Sequence, residues 1–495
     1  MPQPIAQEWT PLGEHSWTRP LWSAEKCLDN DSTKGDGLYN ITRAITFSTS
    51  IPREHITEEL VAQAWIKTRQ AKPEVGIRFT PDKKSGANRM QYDVIASEDE
   101  ERQWVEDTLV YSETSNWETL FNGCIGRSLA SRTRGGSALL VFVPGGEYHT
   151  AIINISHVIN DATGNHAVFA TFLQSLLDVA SSPLSNHRIW GDEVARLPQS
   201  AQGALEETMG KATAEQLRLG EDHYKSQLSA FSKRFVSFPI RENFRGLPRT
   251  TGYAHVSLDE GETNQLLKKA KSKGLSLTFV VVAALGVAME KLFGTKTEEG
   301  FVFMFTCDTR RWSNSNERKN GQAAPSMASA INFVWASKGL ETELGSESTS
   351  EAADNVALEV YARHLQGELK AMLDTPNSVW GYSYLTPGYC RALDNVDWDQ
   401  PRPAGLAVSS LNRIEKSLPD KYTSKNGEHT ISLAPDGYRV QLRQIDFQPW
   451  SHIYTFQRKL TVTLEFCVKY YEPEIMQRVL DCGGDLLKSY SCAHV

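Results

Sequence analysis

Apolar residues recur along the first part of the chain with spacings that predict strands followed by helices. Residues 39–50 favour a strand through their Ile, Thr, Tyr and Phe content. After Pro52, apolar residues recur at helical spacing and predict an amphipathic helix. The apolar runs Ala138–Val143 and His149–Ile155 predict a buried hairpin, and the apolar face of 165–179 predicts a helix directly after it.

The second part of the chain repeats this order of strand and helix. A strand is predicted over 253–258, an amphipathic helix over 260–273 and a mostly buried helix over 275–293. Near the end, alternation over 460–470 predicts a strand, and 473–490 predict a closing helix. Mixed strands and helices of this kind predict an α/β (α+β) fold.

A polar stretch containing Pro and Arg, residues 232–250, separates the two series and is predicted to be a crossover linker. A helix is predicted before it, near 203–231. The chain is therefore divided into an N-terminal half, 1–231, and a C-terminal half, 251–495. Residues 1–30, rich in Trp and Pro, are expected to form an irregular arm packed on a surface.

Composition narrows the class of protein. A chain of 495 residues has room for about two to four domains and needs no disulfide or metal to hold its core. The net charge of −8 argues against a nucleic-acid partner. No apolar run reaches the roughly 18 residues of a membrane span and no signal peptide is recognised, so a cytoplasmic protein without a membrane partner is expected. Seven dispersed cysteines without a CxxC pair fit reduced thiols and predict no metal site.

The strongest candidate for catalysis is the segment 156–164, where His157 and Asp161 stand between a predicted strand and a predicted helix. Histidine is the natural general base near neutral pH. An acid four residues later either orients the imidazole or pairs with an arginine and holds the shape of the loop. The same spacing at His255 and Asp259 lies along a predicted strand with no glycine loop after it, and we interpret it as coincidence. The alternative for the first match is a helix-capping aspartate beside a histidine with ordinary partners.

Motifs for other chemistries do not occur in the sequence. It contains no GxSxG nucleophile elbow, no HExxH, no Walker A and no GxGxxG. Covalent serine catalysis, metal hydrolysis, nucleotide hydrolysis and nicotinamide chemistry therefore have no support in the sequence.

The segment around His157 resembles the motif of the HxxxD acyltransferases, which include BAHD enzymes, peptide-synthetase condensation domains and chloramphenicol acetyltransferase. Four further segments occur in the order that this superfamily uses. They are the strand and helices over 253–293, the pair 307–311 and 330–333 (similar to VDxR and GN), the strand 406–412, and 446–450 at the position of DFGWG. The resemblance covers nearly the whole chain.

Three departures narrow the resemblance. The glycine after Asp161 stands at Gly164 and not directly behind the acid, and DFGWG has become DFQPW. Both differences argue against a plant-type BAHD enzyme. Ser156 stands where a condensation domain carries a second histidine. The chain is therefore most similar to fungal acetyltransferases of secondary metabolism, such as trichothecene 15-O-acetyltransferase.

The resemblance implies two chloramphenicol-acetyltransferase-like αβα halves with a channel between them. His157 would be the general base, and Asp161 would pair with an arginine, Arg310 as first candidate and Arg78 as second. Gly164 would support the loop. Further polar residues would line the channel or stabilise an oxyanion, although ordinary strand-end polarity explains them equally well; they are Ser409, Ser410, Asn412 and Asn332. Asp446 and Trp450 would be structural, as a turn and an aromatic plug.

The same resemblance implies acetyl-CoA or another acyl-CoA as co-substrate, no tightly bound cofactor, a small-molecule acceptor and a monomer. Lys268 and Lys271, in a basic run with Lys269 and Lys273, could meet the CoA phosphates, although such a run is more often a solvated helix face. Two other functions stay open at this point. One is condensation-type transfer from a carrier-protein thioester, and the other is a non-catalytic relative that only binds ligand.

Overall fold

The computed structural model describes residues 8–82, 86–113, 116–129, 136–182, 189–295, 298–313, 325, 327–339 and 350–492. The strands are β1 Thr10–Pro11, β2 Ser16–Pro20, β3 Ile41–Thr49, β4 Ile77–Pro81, β5 Asn88–Asp93, β6 Leu109–Tyr111, β7 Ala138–Val143, β8 His149–Ile155, β9 Thr251–Leu258, β10 Gly300–Asp308, β11 Ser329–Ser337, β12 Leu406–Arg413, β13 Lys421–Thr423, β14 Thr430–Leu442, β15 Trp450–Phe456 and β16 Lys459–Cys467. The α-helices are α1 Ser23–Lys34, α2 Glu58–Ala71, α3 Glu98–Thr108, α4 Trp117–Ile125, α5 Ala162–Ser181, α6 Ala201–Met209, α7 Ala214–Leu228, α8 Glu260–Ser272, α9 Leu277–Phe293, α10 Ser350–Met372, α11 Asn377–Trp380, α12 Tyr382–Asp394 and α13 Pro473–Cys492.

The chain forms two compact units, each made of three segments. Unit 1 contains Met1–Lys211, Thr309–Ser329 and Glu415–Arg443, and unit 2 contains Ala212–Asp308, Ala330–Ile414 and Gln444–Val495. Both mix helices and sheet, as the predicted α/β fold requires.

Unit 1 is built on a six-stranded sheet with the order β13-β14-β3-β8-β7-β6. Every residue of β7 is buried, as its unbroken apolar run predicts, and every residue of β8 is buried as well, although β8 contains polar side chains. Helix α5 packs against α2, with Phe169, Phe172 and Leu173 fully buried. A second, four-stranded sheet in this unit has the order β1-β2-β5-β4.

Unit 2 is built on a six-stranded sheet with the order β11-β10-β12-β15-β16-β9. Helices α9 and α13 pack against each other, and α13 also covers β9 and β16. The central residues of α9 are buried on all sides because the helix is apolar throughout. A capping box of Asp259 and Glu262 starts α8, and Gly274, at φ +70°, follows its end.

The predicted domain boundaries at 231 and 251 differ from those of the two units. The first unit boundary lies at 211, and Thr309–Ser329 and Glu415–Arg443 belong to unit 1 although they come late in the chain. The cause of the second exchange is strand pairing, because β14 runs antiparallel to β3 from Ile431 opposite Thr49 to Leu442 opposite Ile41. Residues 232–250 lie within unit 2 and contain only Ser232, the end of a 3₁₀ turn, and one bridge residue, Phe235, so the crossover linker stays a prediction.

Two local predictions need correction. The N-terminal segment is not an irregular arm, since β1, β2 and the start of α1 lie within it, and Trp9 and Trp22 are buried. The single helix near 203–231 is two helices, α6 and α7, because Gly210 adopts φ +82° directly after α6.

In the described part of the chain, none of the helices is by itself long and apolar enough to cross a membrane. Helices α8 and α9 pass that test only as a pair, bent by 101° at their junction.

Candidate active site

His157 lies in a tight turn directly after β8. Every other residue from Ser156 to Asp161 is buried, and His157 alone is only partly covered. The turn is held by Ser156, whose N–H donates to the Ser137 carbonyl at 2.8 Å and whose Oγ accepts from the Val158 N–H at 3.3 Å. The apolar side chains of Val158 and Ile159 point into the core. The loop therefore presents one titratable side chain and fixes the backbone around it.

Asp161 caps α5 and forms the predicted ion pair with Arg310. The Nη1 and Nη2 atoms of Arg310 lie 2.9 and 3.0 Å from the two carboxylate oxygens, and both side chains are buried. The N–H groups of Gly164 and Ala328 donate to the same carboxylate at 3.0 and 2.8 Å, and the Ser329 hydroxyl adds a bond at 3.3 Å. These donors occupy both oxygens, so Asp161 holds the loop in shape and is not placed to orient an imidazole.

Arg310 is itself fixed by the short 3₁₀ turn that follows β10, Thr309–Trp312. The backbone N–H and the hydroxyl of Thr309 both donate to the Ala328 carbonyl, at 2.7 and 2.8 Å. The Nε of Arg310 donates to the Pro325 carbonyl at 2.8 Å. Arg78, the second candidate partner of Asp161, instead pairs with Asp93 at 2.6 Å on β5.

The ionisation of Asp161 makes the folding stability of the protein depend on pH. Burial opposes the charged form, but Arg310 and the N–H groups of Gly164 and Ala328 outweigh it and lower the pKa of the carboxyl. Because the pKa is lower in the folded state, this charge stabilises the fold fully above about pH 4 and progressively less below it. We expect the stability advantage of the wild type over Asp161→Asn to be constant from pH 7 to about pH 5 and to shrink below about pH 4. Chemical unfolding of both proteins over this pH range measures the difference, and an advantage that does not shrink in acid would contradict the assignment.

The hydroxyl and amide side chains predicted on β12 lie in unit 2. Ser409 and Ser410 are half-buried, and Ser410 Oγ lies 2.7 Å from Thr278 Oγ1 in the first turn of α9. Asn412 is exposed and adopts φ +57° at a bulge in the pairing of β12 with β15. A residue with left-handed backbone geometry at a bulge changes the direction in which the last side chains of the strand point.

Asn332 has partners in the interior of unit 2 and no exposed face. It is fully buried on β11, its Oδ1 lies 2.9 Å from His223 Nε2 on α7, and its Nδ2 lies 3.5 Å from Cys307 Sγ on β10. Burial lowers the pKa of His223, against the effect of its bond to Asn332. The geometry thus gives Asn332 the task of joining β11 to α7 in place of the predicted contact with substrate.

The segment at the position of DFGWG forms a closed turn before β15. Asp446 accepts from the Gln448 N–H at 2.9 Å and also from the side chain of Gln444. Gln448 Nε2 donates to the Gly405 carbonyl at 2.6 Å, and Trp450 is buried. The loss of both glycines is therefore accommodated by side-chain bonds, and Asp446 lies in a turn; the role of Trp450 as an aromatic plug stays a prediction.

Lys268 and Lys271 lie on the exposed face of α8. Their neighbours in the basic run differ: Lys269 is buried over the ring of Tyr490, and Lys273 pairs with Glu359 at 3.0 Å. Among the residues with described positions, no three His, Cys, Asp or Glu side chains lie close enough together to hold a metal ion.

The sequence did not predict the bonds that Ala328 and Ser329 donate to Asp161. Ala328 lies 167 residues after Asp161 in the chain. It also missed Arg43 on β3, which donates to the first turn of α5. A sequence motif cannot identify a backbone N–H as a hydrogen-bond donor to a distant side chain. Arg43 could be identified as a partner of α5 only once the pairing of β3 with β8 was known.

Comparisons with known proteins found similar acyl-CoA-dependent acyltransferases. No family model matches the chain. The acyl-CoA-dependent acyltransferase MAC1 of Mycosarcoma maydis is 22% identical over 467 residues, which cover 85% of this chain and 77% of MAC1. MAC1 of Pseudozyma antarctica (strain T-34) is 20% identical over 527 residues, covering 95% of this chain and 93% of that protein.

The fold is shared with solved acyltransferase structures. TRI3 trichothecene 15-O-acetyltransferase from Fusarium sporotrichioides has a TM-score of 0.83 at 15% identity, covering 99% of this chain and all of that one. The first condensation domain of the calcium-dependent antibiotic synthetase has a TM-score of 0.62 at 13% identity, with 97% of each chain covered. Over most of its length the chain is therefore similar to acyl-CoA-dependent acyltransferases, and it has the mixed α/β fold of the solved acetyltransferase and condensation-domain structures.

Proposed function

We propose that this acyltransferase moves an acyl group, acetyl in the first instance, from acyl-CoA to a hydroxyl of a small hydrophobic secondary metabolite. The observation that carries the proposal is the loop 156–161, which exposes His157 alone and is fixed by the buried pair of Asp161 with Arg310. The acyl-CoA dependence of the MAC1 relatives supports acyl-CoA as the donor. The acetyltransferase TRI3, which has the same fold, supports acetyl as the group and a trichothecene-like alcohol as a class of acceptor.

In the proposed reaction, His157 removes the proton from the acceptor hydroxyl as general base. The alkoxide oxygen attacks the thioester carbonyl and forms a tetrahedral intermediate, in which the new C–O bond and the old C–S bond are both present. The C–S bond then breaks, the ester leaves, and the departing CoA thiolate receives from the His157 imidazolium the proton that came from the acceptor hydroxyl. The acyl group passes directly from the thioester to the acceptor oxygen in this scheme, so both substrates must be bound at the same time.

The resemblance assigns oxyanion stabilisation to polar groups of β12, and Ser410 is the first candidate because its hydroxyl is anchored by Thr278. A single donor of this kind contributes about 10²–10³ in rate. Asp161 takes no proton in this scheme, since the donors around its carboxylate keep it ionised.

Calorimetric titration with acetyl-CoA tests the donor without knowledge of the acceptor. We expect saturable one-to-one binding, with octanoyl-CoA as the comparison that sets the chain length. The variant Lys268→Gln/Lys271→Gln, titrated in parallel, shows whether these exposed lysines meet the CoA phosphates: a weaker affinity assigns them to the donor site, and an equal affinity makes them a solvated face. No binding at millimolar acetyl-CoA would contradict the proposal and favour a carrier-protein thioester or a ligand-binding relative.

A further inference from the structure

One strand, β3, bonds to both ends of the loop that carries His157. Before the loop, Asn154 Nδ2 donates to Thr42 Oγ1 at 2.6 Å, one residue from the end of β8. After the loop, Arg43 Nη1 donates to the Ala162 carbonyl at 3.2 Å and to Asn165 Oδ1 at 2.7 Å. Adjacent residues of one strand therefore hold the segment where it begins and where it ends.

The guanidinium of Arg43 is itself held in place. It is buried, and its carbon lies 5.6 Å from the centre of the Tyr438 ring. The Tyr438 hydroxyl lies 2.9 Å from His166 Nε2, and His166 Nδ1 lies 2.7 Å from Ser417 Oγ. The hydroxyls of Tyr438 and Ser417 thus hold both ring nitrogens of His166. Burial, with the nearby Arg43 charge, lowers the pKa of His166 well below its ordinary value, so the ring beside Arg43 is neutral near pH 7.

The turn that Arg43 holds is connected to the loop through Asp161. The Asn165 N–H donates to the Asp161 carbonyl at 2.8 Å, and the Gly164 N–H donates to the Asp161 side chain at 3.0 Å. The first turn of α5 is thus anchored twice, by Arg310 on the Asp161 carboxylate and by Arg43 on Ala162 and Asn165. Removing Arg43 takes away the second of these anchors and leaves the turn to the contacts of the Asp161 carboxylate.

We infer that Arg43 is a positioning residue for His157, acting through the first turn of α5 and without contact to substrate. The inference rests on the proposed function, in which His157 is the general base. A base must lie within hydrogen-bond reach of the proton it removes, and a displacement of about 1 Å costs about 100-fold in rate. The two bonds from Arg43 Nη1 restrain the turn directly after His157, so their loss would allow such a displacement.

The test is steady-state turnover of Arg43→Met and Arg43→Lys in a thiol-release assay with acetyl-CoA and a panel of terpenoid and polyketide alcohols. We expect Arg43→Met to lower kcat about 100-fold, with the KM for acetyl-CoA changed by less than about threefold. Arg43→Lys should recover part of the loss and not all of it, because the lysine side chain is one bond shorter and lacks the planar group that lies near the Tyr438 ring. A kcat of Arg43→Met within about threefold of the wild type would overturn the inference.

Arg69→Met is the matched control, because Arg69 is also a buried arginine of unit 1. It donates to the Asp93 carbonyl at 2.7 Å and lies over the ring of Trp104. Neither of these two partners is hydrogen-bonded to residues 156–165 among the described contacts. We expect kcat per folded molecule to stay within about twofold of the wild type. An equal loss of kcat in both variants would overturn the inference, since any buried arginine would then have the same effect.

If Arg43→Met does not fold, Asn165→Ala tests the same contact from the other side. It removes one acceptor and leaves the guanidinium in place, and kcat should fall about tenfold. Combined with Arg43→Lys, the losses should be less than multiplicative, because both changes break one contact; independent losses would overturn the inference. Full activity of His157→Ala would contradict the proposed function itself. Full activity of Arg43→Met, measured beside an inactive His157→Ala, would contradict only the inference about Arg43.

Discussion

Replacing His157 with alanine is expected to remove acyl transfer and to leave both the fold and acyl-CoA binding intact. The side chain is only partly covered, so truncating it opens no cavity in the core. A positioned general base contributes about 10²–10⁴ in rate, and kcat should fall by that factor. Thiol release from acetyl-CoA with the alcohol panel measures the rate, and calorimetry of the variant measures donor binding.

His255→Ala provides a control with the same local pattern. His255 and Asp259 repeat the HxxxD spacing, but His255 is exposed on β9, and Asp259 is the exposed capping residue of α8, with no arginine bonded to it in the described chain. We expect wild-type turnover from this variant. Near-normal turnover of His157→Ala, or an equal loss in His255→Ala, would remove His157 from the mechanism.

Asp161→Ala is expected to have the second-largest effect, and on two properties at once. It leaves the guanidinium of Arg310 buried beside an empty position and removes the acceptor of the Gly164 and Ala328 N–H groups. Breaking a buried pair in this way costs about 3–5 kcal/mol of folding stability. Because the same contacts fix the loop, kcat should fall at temperatures where the variant is still folded.

The buried pair Arg19 and Glu25 in unit 1 allows loss of stability to be separated from loss of function. Its two bonds of 2.7 Å match the geometry of the Asp161 pair, and both side chains are equally buried. Glu25→Ala should therefore destabilise the chain to a similar degree, while kcat per folded molecule stays near that of the wild type. If Asp161→Ala and Glu25→Ala lowered kcat alike, Asp161 would have no particular part in the site.

Local patterns were sufficient to predict much of unit 1 around the site. The bounds of β7 and β8 agree with the predicted hairpin, because β7, buried on both faces, leaves an unbroken apolar run, and β8 returns beside it. Helix α5 begins at Ala162, three residues earlier than predicted, because Asp161 caps it and Gly164 is tolerated in its first turn.

Contacts between distant segments were not predictable from local patterns. Because β14 pairs with β3, Glu415–Arg443 belong to unit 1. The sequence of neither strand indicates which strand it pairs with. Arg310 entered as a candidate only through the resemblance to a known superfamily. Asn332 came from the same resemblance, and its interior bonds to His223 and Cys307 depend on how α7 covers the sheet, which a one-dimensional pattern does not contain.

The most direct test of the account is acetyl transfer itself, measured with isotopically labelled acetyl-CoA and the alcohol panel by mass spectrometry, for the wild type beside His157→Ala. The account predicts a labelled ester and one equivalent of free CoA thiol per ester from the wild type, with no ester above background from the variant. Binding of acetyl-CoA by a wild type that acetylates none of the alcohols, or ester formation that persists without His157, would contradict it.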